Sequence, residues 1–154
     1  DAVLLSHALA PDADHAALDA LARALAPSAE RLQESSEQGA ALARMVSALT
    51  GFVLPPRMLP VALGEAARPL ALSQGQIAQL YLQNFASNLT TVAIRHVPLG
   101  QTEGQAVLAR LLPEIEVLGT WAALASLDDL GSCALAADLA AFKHETQDVR
   151  IFRT

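Results

Sequence analysis

Apolar residues recur along most of this chain at three- and four-residue intervals, and prolines and glycines cut the pattern into helix-length pieces. The spacing predicts the end of a helix over residues 1–10, stopped by Pro11. Asp12 or Asp14 can N-cap a second helix carrying Leu18, Leu21 and Leu25 on one face, which Pro27 ends. Ser28 opens a third helix reaching about Thr50. Leu32, Leu42, Met45, Val46 and Leu49 are its apolar positions, and its charged first half (Glu30, Arg31, Glu34, Glu37) should be solvated. Gly51 suits the C-cap. A connector containing Pro55-Pro56 leads to Pro60, well placed in the first turn of a short helix ending near Arg68. Ser73 and Gln76 have capping-box spacing and open the longest helix, to about Val97, with Ile77, Leu80, Tyr81, Phe85, Leu89, Val92 and His96 in register. Pro98 and Gly100 stop it. A further helix is expected from about Glu103 to Leu124, kinked or split by Pro113. Ser126 to Asp129 forms a turn, Gly131 breaks it, and a last helix spans roughly Ser132 to Glu145.

The expected architecture is therefore all-α: a single compact helical domain of about seven or eight helices over residues 1–143, with a flexible C-terminal tail over 144–154. Composition sharpens this. Ala and Leu account for 59 of the 154 residues and aromatics for only 4%. Both are strong helix formers, and thin alanine side chains let helices approach closely. The formal charge of −6 argues against a nucleic-acid footprint or an anionic-membrane binder. A lone cysteine, Cys133, excludes a disulfide within the chain and fits a reducing cytoplasm. No apolar run is long enough to span a bilayer. The chain opens on Asp1 in mid-helical pattern, so the expectation is that an N-terminal part is missing.

Candidate chemistry is sparse. There is no Gly-x-x-x-x-Gly-Lys loop, no His-Glu-x-x-His and no Cys-x-x-Cys. His7, His15, His96 and His144 are scattered, and Ser126, Asp128, Asp129 and Ser132 are explained by helix capping. His144 and Glu145 are adjacent and on a helix point in different directions. Cys133 at a helix start would have a lowered thiol pKa but has no fixed histidine partner. Arg95 ends a helix, where a cation suits the dipole. The final stretch is different in kind: Arg150 and Arg153 flank Ile151-Phe152, a pairing of guanidinium and aromatic typical of binding hot spots.

Several segments in order resemble one family. These are Glu34-Ser35-Ser36-Glu37-Gln38-Gly39-Ala40-Ala41-Leu42, Leu59-Pro60-Val61-Ala62-Leu63-Gly64, Arg95-His96-Val97-Pro98-Leu99-Gly100-Gln101, Leu130-Gly131-Ser132, His144-Glu145-Thr146-Gln147 and Arg150-Ile151-Phe152-Arg153. Together they resemble the urease accessory protein UreF family over essentially the whole chain. The family's N-terminal region, with a Pro-Val-Gly-Gly-like stretch and an aromatic-Ser-His-Gly-Leu-Glu-like motif, has no counterpart. Asp148 stands where an aromatic is common, and Arg95 replaces a frequent Lys.

The resemblance implies an all-α homodimer without catalysis of its own, cytoplasmic, acting as scaffold or chaperone for nickel insertion into apo-urease. It implies binding to UreD (also called UreH) and recruitment of the GTPase UreG. No tightly bound cofactor is implied, and Ni2+ would only pass through. The residues it implicates in partner binding are Arg95, Gly100, Gln101, His144, Glu145, Arg150, Phe152 and Arg153. Arg95 and Arg150 would face the GTPase, and residues 144–154 would order on UreD. The alternatives are a generic all-α interaction module with other partners and, less in keeping with the motifs, a small helical hydrolase or metal enzyme.

Overall fold

The computed structural model describes residues 1–131 and 134–149. Among them every regular element is helical: α1 (Ala2–Ala8), α2 (His15–Ala24), α3 (Ala29–Thr50), α4 (Leu59–Ala67), α5 (Gln74–His96), α6 (Gln101–Ala122) and α7 (Leu135–Glu145), with a single 3-10 turn at Leu127–Asp129. The all-α reading holds. The boundaries follow local hydrogen-bond needs. Asp14 accepts from the Ala16 and Ala17 amides, Ser28 from that of Arg31, and Ser73 and Gln76 bond reciprocally as a capping box. Gly51 ends α3 at φ 79°, a left-handed conformation that glycine adopts without a Cβ clash.

α1 is short but central. Val3 and Leu5 join one cluster with Ile77, Ala78, Tyr81, Ala122 and Ala125, while Leu4 and Ala8 join another with Leu18, Ala22, Met58 and Val61. It therefore sits between the α5–α6 pair and the α2–α4 pair. Leu5, wholly buried, contributes about 2 kcal/mol by leaving water. Close approach depends on small residues, as the composition predicts. A Cβ on Gly64 of α4 would stand 2.6 Å from the Ala8 Cβ and from the Leu5 carbonyl oxygen. Gly104 meets Thr90 and Ile94, whereas Gly119 meets Gln79, so α5 and α6 form an antiparallel hairpin. The first amides of α4 are satisfied from other helices: Met58 N–H donates to Asp19 Oδ1 at 2.6 Å and Leu59 N–H to Ser35 Oγ at 3.1 Å.

Two expectations are narrowed. Of the kink or split expected at Pro113 the split does not occur, since α6 is one element through it. The proline lies on the solvent side, where water can take the carbonyl it leaves unbonded, and Gly104 and Gly119 dock both halves onto α5. α6 also starts at Gln101 rather than Glu103, because the Glu103 carboxylate accepts the Gly100 N–H at 2.8 Å and closes the first turn earlier. Not every periodic leucine is core. Leu25, Leu80, Phe85, Leu89 and Val92 are exposed.

Tyr81 gives a direct check on the core. Its hydroxyl donates to Asp1 Oδ2 at 2.8 Å, and burial pushes its pKa up to about 12, with Arg31 opposing and Glu34 adding to the shift. The fold thus holds the neutral phenol. That stabilisation is complete below the unfolded value of about 10 and is lost as pH rises toward 12. The chain has one tyrosine. Titration of its tyrosinate band should give a midpoint near 12 in the folded protein; a midpoint at the free-phenol value would mean that the hydroxyl is solvated.

Candidate partner-docking site

The turn between α5 and α6 is built from short-range bonds. Val97 N–H donates to Ala93 O at 2.8 Å and ends α5, and Leu99 N–H donates to Val97 O at 2.7 Å across Pro98. Glu103 then ties down Gly100, and Gly104 N–H donates to Gly100 O at 2.9 Å. Below the turn, Gly104 is buried against Ile94 and Thr90. The result is a fixed tip with Arg95, Gly100 and Gln101 all exposed. The Arg95 side chain forms no hydrogen bond or ion pair among the described residues, so its guanidinium keeps its full donor set for another molecule.

The second predicted group sits elsewhere. α7 continues through Glu145, so His144 and Glu145 lie in its last turn and not in a free tail. Both reach Glu30 at the start of α3. His144 Nδ1 lies 2.6 Å from Glu30 Oε2; a carboxylate accepts, so this nitrogen carries the proton. Glu145 Oε1 accepts from the Glu30 backbone N–H at 3.3 Å. The two neighbours do diverge on the helix, but one takes the side chain and the other the backbone of the same residue. The arrangement suits both helix dipoles, an acidic group at the first turn of α3 and a basic one at the last turn of α7. Sequence reasoning missed Glu30, whose charged neighbourhood reads as a solvated face. Arg150, Phe152 and Arg153 lie outside the described residues, as does Cys133.

The outer face of α7 presents Leu135, Leu139 and Phe142 to solvent. Along α5 and α6 runs an apolar cleft of about 410 Å³ lined by Phe85, Leu89, Leu99, Val107 and Leu111. Among the described residues no three His, Cys, Asp or Glu side chains gather as a ligand set. The remaining histidines bond to backbone carbonyls or are otherwise engaged: His7 Nε2 lies 3.0 Å from Ala125 O and His15 Nε2 2.8 Å from Ala8 O. What the described surface offers is contact area and an available cation.

The UreF family model matches residues 1–112. The urease accessory protein UreF of Cereibacter sphaeroides strain KD131 is 61% identical over all 154 residues, which cover 73% of that protein. The proteins of the same name from Paracoccus denitrificans and Dinoroseobacter shibae are 51% and 47% identical over the whole chain, which covers 72% and 73% of them. No solved structure matches significantly. With a family model over more than half its length and relatives this similar along all of it, the chain belongs to the UreF family of urease accessory proteins.

Proposed function

We propose that this chain acts in urease maturation as a cytoplasmic, non-enzymatic scaffold that binds UreD/UreH, recruits the GTPase UreG and presents both to apo-urease for nickel insertion. The observation that carries the proposal is the rigid α5–α6 tip with Arg95 exposed and unpartnered among the described residues. A partner can take that guanidinium without first breaking an internal bond. Nickel is cargo in this reading, passed on rather than held. The α5–α6 cleft supports self-association, since apolar surface of that kind is stabilised by burial against a second copy.

The test is a pull-down of UreG in the presence of UreD and GTP, sized by light scattering, with Arg95→Glu and Arg150→Glu. Arg95→Glu should weaken UreG recruitment at least about tenfold with unchanged helicity, because an exposed, unbonded side chain contributes little to stability. Recruitment at wild-type affinity in both variants would overturn the assignment. A folded protein that forms no complex at all would favour the generic interaction module.

A further inference from the structure

The far end of α3 and the connector behind it form a second, differently charged surface. Met45 and Leu49 lie one turn apart on α3 with 54% and 78% of their surface exposed, and Phe52 and Val53 follow at 69% and 91%. Short-range hydrogen bonds hold this loop. Gly51 N–H donates to Ser47 O at 2.9 Å, Phe52 N–H to Thr50 Oγ1 at 3.2 Å and Leu54 N–H to Ser47 Oγ at 2.9 Å. Three of the loop's amides are thus bonded locally while the large apolar side chains are exposed. In a protein of charge −6, residues 38–64 contain no carboxylate. They contain two arginines. Arg57 pairs with Glu65 at 2.9 Å, whereas Arg44 is exposed and makes no ion pair among the described residues.

We propose that this knob, Arg44, Met45, Leu49, Phe52 and Val53, docks a protein partner that brings an apolar pocket rimmed by carboxylates. Two features select that occupant. The knob is preorganised, so little ordering entropy opposes insertion of Phe52 and Val53 as anchors. The net positive patch complements acid and not its own kind: in a two-fold pairing of identical patches, neither Arg44 would meet a carboxylate. One cation on a net acidic chain is too little for an anionic bilayer. The knob is also distant from the α7 anchor. From Glu30 to Thr50, α3 rises about 30 Å, which leaves room for two partners at once.

The choice of probe rests on the scaffold reading. A photoreactive benzoylphenylalanine is placed at Phe52, or separately at Gln101 on the α5–α6 tip, in the whole chain coexpressed with the urease subunits, UreD and UreG. Irradiation should join position 52 to one of these proteins, at an apolar segment with Asp or Glu beside it. Adding Arg44→Glu should cut that adduct at least about fivefold and leave the Gln101 adduct unchanged. An adduct at 101 but none at 52 overturns the knob and spares the scaffold reading. Capture of lipid or of a second copy at 52, or no response to Arg44→Glu, overturns it too. No adduct at either position overturns both.

Discussion

Replacing Gly39 with valine is expected to destabilise the fold by about 3 kcal/mol or more. A Cβ at this point of α3 would overlap the Arg57 carbonyl oxygen and lie 2.8 Å from Leu59 N and 2.9 Å from Met58 C. All three are backbone atoms, so no rotamer change relieves the clash; α3 must move away from the α4 entrance. That movement pulls Ser35 from Leu59 N–H, leaving this amide at the start of α4 unsatisfied. Thermal unfolding by circular dichroism should drop by roughly 6–12 °C. Alanine is the more discriminating test. Helix propensity alone would make Gly39→Ala stabilising by about 1 kcal/mol. The close approach reverses the sign, and a melting temperature above wild type would contradict the packing described for this helix.

Deleting residues 144–154 is expected to abolish binding to UreD, the second large effect. The deletion removes two things together: the predicted Arg-Ile-Phe-Arg contact segment and the His144 and Glu145 links to Glu30. A shorter deletion of residues 146–154 keeps those links and isolates the end segment. His144→Ala keeps the segment and loosens α7. If the end segment carries the affinity, both deletions should lose at least about a hundredfold, in line with removal of several hot-spot residues, while His144→Ala should lose much less. Titration calorimetry against purified UreD would read this. Wild-type affinity after the longer deletion would contradict docking through the C terminus.

The helices were legible because their ends carry chemistry. Ser28, Gly51, Ser73 with Gln76, and Pro98 each satisfy or remove a particular backbone group, and each marks a real boundary. Pro113 leaves kink and split both open in the sequence, because its cost depends on which way it faces and sequence does not give orientation. The helical period also could not separate core from surface: Ile77 and Tyr81 are buried, but Leu80, Phe85 and Leu89 on the same helix are not. A stripe built for a partner has the same spacing as one built for a core. At the candidate site, Arg95 and the Gly100-Gln101 turn were readable as a local motif. The Glu30 anchor was not, since nothing local links it to residues more than a hundred positions away.

That separation has a consequence for when the surface exists. The α5–α6 hairpin joins neighbours in sequence and can close early, but the His144–Glu30 bond spans 114 positions. Closing so long a loop carries an entropic cost, and the contact that offsets it forms only once residue 144 has been made. During synthesis the α7 anchorage therefore forms after the body it rests on. A growing chain that has not yet reached Glu145 has no α7 anchor, so the surface it supports comes later than the α5–α6 tip.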